Sequence, residues 1–125
     1  MPNARWLSKV NKQARRGDIW LVDWSPSRGS EQAGMRPALV IQTDAANTNP
    51  HYPNTIVVTV STKGKAVPFH VPVNPSRGNG LKEASFVKCE QVLTISKSRL
   101  VRRLGSLEEK HVKAVAASLR RVLEL

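Results

Sequence analysis

The chain has 125 residues, 40% of them hydrophobic, which suits one domain with a core of its own and leaves no room for several. Twenty Lys+Arg against nine Asp+Glu give a net charge of +11 and a pI near 10.7. Such self-repulsion is tolerated where a polyanion is the partner, nucleic acid first, an acidic protein or an anionic membrane behind it. Cys89 stands alone, which excludes an intramolecular disulfide and a cysteine-based zinc site and fits a reducing cytoplasm.

Residues 1–16, MPNARWLSKVNKQARR, are basic and weakly patterned, with Trp6, Leu7, Val10 and Ala14 able to line one face of a short helix. They lack the apolar segment of a secretory signal, and no run in the chain approaches the roughly 18 apolar residues that span a bilayer. The expectation is a soluble cytoplasmic protein with no membrane contact, built as a basic arm over 1–16 and a folded domain over 17–125.

DIWLVDW sets Ile19, Leu21 and Asp23 on one face and Trp20, Val22 and Trp24 on the other, the pattern of a strand buried on much of both sides, which Pro26 ends. GSEQAGMRP follows, longer than the about 2–5 residues most hairpins need. ALVIQT predicts a second strand, DAANTNPHYPN a long exposed loop, and TIVVTVST a β-branched third strand. FHVPV predicts an edge strand broken by Pro72, NPSRGNG a turn, and ASFVKCEQVLTI a strand pair or one long strand. Strands not separated by helices predict an antiparallel barrel or sandwich. Ser106 and Glu109 have the spacing of a capping box. Beyond them Val112, Val115, Leu119 and Val122 recur at helical spacing, predicting an amphipathic C-terminal helix packed on the sheet. The fold class is thus mainly β with a C-terminal helix: a small β-barrel.

The residues narrow the chemistry by elimination. There is no H-E-x-x-H, no clustered His/Asp/Glu set, no phosphate-binding P-loop and no dinucleotide fingerprint, so no metal and no cofactor is expected. Cys89 sits in strand sequence and reads as core. His51 and His111 fall on a loop and a helix; His70, in PFHVP, is either a ligand-facing residue or an ordinary strand histidine. What remains is chemistry that borrows its nucleophile. RNA carries one, the 2′-hydroxyl, beside the scissile phosphate, and a protein that aligns it and stabilises the phosphorane needs no hydrolytic water. GSEQAGMRP holds suitable parts: Gly29 and Gly34 for loop shape, Glu31 and Gln32 for hydrogen bonds, and Arg36, whose planar fork matches phosphate oxygens. A Glu31–Arg36 ion pair pinning the loop accounts for the same residues.

RGDIWLVDWSP, RGSEQAGMRPALVIQTD, IVVTVST, PFHVPV, EQVLTISKSRL and RLGSLEE, in that order from Arg16 to about Leu123, resemble the MazF/PemK toxins of bacterial toxin–antitoxin systems. The resemblance implies an SH3-like barrel of the MazF/CcdB type, a homodimer, and a sequence-specific, ribosome- and metal-independent endoribonuclease, an mRNA interferase. Such an enzyme cuts single-stranded RNA to a 2′,3′-cyclic phosphate and a 5′-hydroxyl. It implies that Arg36 is the catalytic arginine, that Glu31 orders the site, and that Ser61 stands where the family usually has threonine, with Thr62 next to it. Gln91 matches a family glutamine near the groove. Leu93 stands where the family often has arginine. The partner implied is a MazE-type antitoxin whose acidic tail lies across the groove. Arg28, Gln32, Lys63 and Lys65 are expected to bind RNA at its border, Phe69 to stack a base or fill the core, and Arg77, Arg99, Arg102 and Arg103 to form a solvated basic surface. A gyrase-poisoning toxin on the same barrel and a plain basic nucleic-acid-binding module are the alternative readings.

Overall fold

The computed structural model describes residues 13–26 and 34–125. Its strands are β1 (Asp18–Asp23), β2 (Met35–Val40), β3 (Asn54–Ser61), β4 (His70–Val73), β5 (Ser85–Ser96) and β6 (Leu100–Ser106). A short helix α1 (Asp44–Asn47) precedes β3, and α2 (Glu109–Leu123) closes the chain. All strand pairings are antiparallel, in the order β4-β5-β3-β2-β1-β6. Among the described residues no helix is long and apolar enough to cross a membrane.

The double-sided pattern of DIWLVDW predicts burial on both faces, and β1 has it: Ile19 belongs to one core cluster, Trp20 and Val22 to another. Ile19, Leu39, Val58, Val60, Val71 and Val87 meet inside the curl of the sheet, and α2 adds Val115 and Leu119. The second cluster gathers Ala38, Val40, Val57 and Leu100 on the other side, with Ala14 at 2% exposure already packed there.

The sheet does not close by strand pairing; the chain after β4 bridges its two edges. The Ser106 N–H donates to the Gly78 carbonyl at 2.9 Å. Two glycines permit the approach. Gly80 has φ +71, and a Cβ on it would lie 2.0 Å from the Leu104 carbonyl oxygen. On Gly105 a Cβ would meet the Gly78 oxygen at 2.3 Å.

Three local expectations need correction, and one alternative is decided. The stretch DAANTNPHYPN is not simply an exposed loop: it holds α1, and Asn47 is buried, its amide donating to the Gln42 carbonyl at 2.8 Å. Pro72 does not break β4, which runs through it as an edge strand with Pro72 exposed opposite Phe86. Of the two readings of ASFVKCEQVLTI, one long strand holds, bulged where the register jumps from Val58↔Val92 to Thr59↔Lys88. Ser106 and Glu109 form no capping box. The N-cap is Glu108, because the Ser106 hydroxyl is already spent on Asp18 and on Arg103 from inside β6.

Candidate functional site

Apolar residues build the floor of an open groove of about 410 Å³: Leu21, Val60, Leu81 and Leu104. Arg36, Ser61 and Thr62 line it from the ends of β2 and β3, and Lys82, Glu83 and Arg102 line it as well. A volume of this size lies in the range of small-ligand sites, about 300–1,000 Å³.

Strand register decides how Arg36 and Ser61 relate. β2 and β3 pair Val40↔Val57, Leu39↔Val58 and Ala38↔Thr59. Two residues further along the same register, Arg36 falls opposite Ser61, and residues opposite one another on neighbouring strands share a face. Thr62 lies just past the end of β3 and lines the same groove, as does Met35. Pro37, which has no N–H to donate, stands where the β2–β3 ladder stops. The other side of Arg36 is held by β1, opposite Val22, and its carbonyl accepts from Trp24 Nε1 at 3.2 Å. The Arg36 side chain is exposed and has no ion-pair partner among the described residues. Ser61 Oγ accepts from the Lys63 N–H at 3.1 Å, which leaves its hydroxyl proton to donate elsewhere. Gly34 admits the turn into β2, since a Cβ there would sit 2.8 Å from Ser25 N.

Arg28, Glu31 and Gln32, expected at this site, lie outside the described residues. Lys63 and Lys65 are exposed on the chain that leaves β3. His70 is buried with both ring nitrogens engaged: Nδ1 accepts from the Lys65 N–H at 3.1 Å, so Nε2 carries the proton toward Glu90 at 2.8 Å. No ring nitrogen is left for a ligand; the histidine clasps the chain that follows Thr62. Phe69 packs against the inner core cluster and meets the His70 ring edge-on at 5.2 Å. Gln91 is exposed on the β5 bulge and accepts from the Thr59 hydroxyl, two residues from Ser61 on the same face.

The expected basic surface splits. Arg77 is exposed. Arg99 is structural: its Nη1 donates to the Asp23 and Ser25 carbonyls, each at 2.8 Å, and so secures the end of β1. Arg103 reaches the buried Asp18 carboxylate at 3.3 Å. Arg102 instead lines the groove, opposite Leu21, and sequence reasoning missed this along with Lys82 and Glu83. Only the β1–β6 register, with its two irregularities, separates Arg102 from Arg103. Among the described residues no three His, Cys, Asp or Glu side chains converge as metal ligands would.

The family model of the "PemK-like, MazF-like toxin of type II toxin-antitoxin system" matches residues 15–123. An "Endoribonuclease MazF" of Staphylococcus saprophyticus is 40% identical over 105 residues, covering 81% of this chain and 83% of that protein. The solved "Endoribonuclease from Mycobacterial species" superposes with a TM-score of 0.74 at 21% identity, covering 91% of this chain and 94% of the other. A MazE–MazF crystal structure from Deinococcus radiodurans gives a TM-score of 0.68 at 20% identity, covering 89% and 94%. At these identities the two structures speak for the fold: a six-stranded antiparallel sheet with a C-terminal helix.

Proposed function

The chain belongs to the PemK-like, MazF-like toxins of type II toxin–antitoxin systems, and from that premise we propose how this endoribonuclease works. It cuts single-stranded RNA, messenger RNA included, at a short sequence and without a metal ion, leaving a 2′,3′-cyclic phosphate and a 5′-hydroxyl. The observation that carries the reading is that Arg36 and Ser61, from neighbouring strands, line one groove.

The substrate 2′-oxygen bonds to phosphorus as it loses its proton, and the P–O5′ bond breaks as the leaving oxygen gains one. Negative charge peaks on the non-bridging oxygens between these events. The Arg36 fork meets those oxygens with parallel N–H groups, and the Ser61 hydroxyl adds a donor from the neighbouring strand. Glu31 orders the loop before β2. Thr62, Arg28, Gln32, Lys63, Lys65 and Gln91 hold the RNA strand on either side, mainly through its phosphates.

The functional unit is a cytoplasmic homodimer. Its inhibitor is an antitoxin of the MazE type, whose acidic segment competes with RNA for the cationic groove; the MazE–MazF complex from D. radiodurans supports that partner class.

Purified protein incubated with single-stranded RNA in EDTA tests the proposal. Expected are fragments with 2′,3′-cyclic phosphate ends, lost in Arg36→Ala. Intact RNA of varied sequence in the presence of folded wild-type protein overturns it.

A further inference from the structure

The groove has more machinery than phosphate chemistry uses. Its floor is apolar, which suits nothing on a phosphate, and three further charged side chains, Lys82, Glu83 and Arg102, line it.

The part of the chain carrying two of them is built rigidly. Asn79 is fully buried; its Oδ1 accepts from the N–H groups of Ser76 at 3.0 Å and Leu81 at 2.9 Å. Its Nδ2 donates to the Asn74 carbonyl at 3.0 Å and to Glu108 Oε1 at 3.2 Å. Gly80 is pressed on Leu104 immediately before Leu81 turns into the floor. Past it, the Ser85 hydroxyl donates to the Glu83 carbonyl at 2.9 Å. Lys82 and Glu83 are therefore presented from a fixed backbone.

Their side chains are exposed, and Glu83 forms no ion pair with Lys82 or with Arg102, although all three line one cavity. A carboxylate in a cationic groove repels a polyanion's phosphates. It suits an N–H donor of a base.

We infer that the apolar floor together with these three charged side chains is a base-reading subsite of the nuclease proposed above. One nucleobase of the single strand leaves the stack and lies on Leu21, Val60, Leu81 and Leu104. Glu83 accepts from its exocyclic amino group, and Arg102 or Lys82 donates to an acceptor on the same edge. Adenine, cytosine and guanine carry such an amino group; uracil has none, and its one edge donor, N3–H, is flanked by two carbonyl oxygens that repel the carboxylate. Glu83 is thus a specificity-determining residue that selects against uracil at one position of the cleaved word.

The inference rests on the nuclease reading, so its test separates the two. Short 2′-O-methyl RNA oligonucleotides bind but have no free 2′-hydroxyl. They are titrated into wild-type protein with the base varied one position at a time, while the methyl resonances of Leu21, Val60, Leu81 and Leu104 are followed. At one position an amino-bearing base should bind about tenfold more tightly than uracil and shift those methyls, and Glu83→Gln should cut the preference to about threefold or less. Methyls that stay silent while RNA binds, a preference that survives Glu83→Gln, or failure of every oligonucleotide to bind overturns the subsite. Base-dependent binding by protein that leaves the matching ordinary RNA uncut supports the subsite and overturns the nuclease reading instead.

Discussion

Arg36 on β2 and Ser61 on β3 fall opposite one another when their shared register is continued two residues beyond its last pair, Ala38↔Thr59. The relationship distinguishes the two adjacent hydroxyls of the ST pair: both line the groove, but only Ser61 lies on β3, in register with Arg36, while Thr62 follows the end of the strand.

Arg36→Ala should lower the single-turnover cleavage rate by about 10²–10³-fold, the usual loss when one donor to a developing oxyanion is removed. Ser61→Ala should lose at least about tenfold, Ser61→Thr should retain most of the rate, and Thr62→Ala should change it by less than about threefold. A larger loss in Thr62→Ala than in Ser61→Ala, measured at saturating RNA, would show the register argument to be wrong.

His70→Ala tests a different role. With both nitrogens committed to Lys65 and Glu90, the ring holds the chain after β3. Its removal should cost about 1–3 kcal/mol of stability, through a buried clasp left unmade, and slow cleavage less than Ser61→Ala does. Parallel melting curves and cleavage rates decide it; a stable variant with abolished cleavage would restore the histidine to the chemistry.

Glu108 links the start of α2 to the bridge between the sheet edges, accepting from the Ser76 hydroxyl and from Asn79. The Ser76 hydrogen bond, chiefly, holds its carboxyl below the ordinary glutamate range. A depressed folded-state pKa means the unfolded chain binds the proton more readily, so the contribution is present above the unfolded value and lost as pH falls through the folded one. Glu108→Gln should therefore melt below wild type at pH 7, and the gap should shrink steadily from about pH 5 downward. A gap independent of pH would mean that charge is not what the bridge requires.

Gly80→Ala asks a left-handed position to accept a Cβ that overlaps the Leu104 carbonyl. A loss of about 3 kcal/mol or more is expected in denaturant unfolding, together with weakened RNA binding, since Lys82 and Glu83 ride on that backbone. Wild-type stability in this variant would show that the bridge between the edges is soft.

Cys89 is buried, and desolvation pushes its thiol up to about 11, so little thiolate is available near neutral pH. Native protein should resist thiol-specific reagents at pH 7.5, and one thiol should titrate in guanidinium. Rapid labelling of the folded protein would contradict the burial.

Much of this protein is legible along the chain. The strand at DIWLVDW, the β-branched run of β3 and the helical spacing of Val112, Val115 and Leu119 are local patterns, and burial of apolar side chains follows them directly. Arg36 and Ser61 are singled out by the family resemblance of their motifs, and both line the groove. What only the tertiary structure decided is what lies between distant segments. The Ser106 hydroxyl was drawn from helix capping to Asp18, 88 residues away, and the capping box dissolved. Neighbouring arginines in VRRL parted, Arg102 to the groove and Arg103 to Asp18, because register across β1 sets which side each faces. Lys82 and Glu83 entered the site only because Asn79 and Gly80 fold their segment against β6. Periodicity reports on which face of its own element a residue sits; the identity of what that face meets is set by pairing and loop closure, which no local pattern contains.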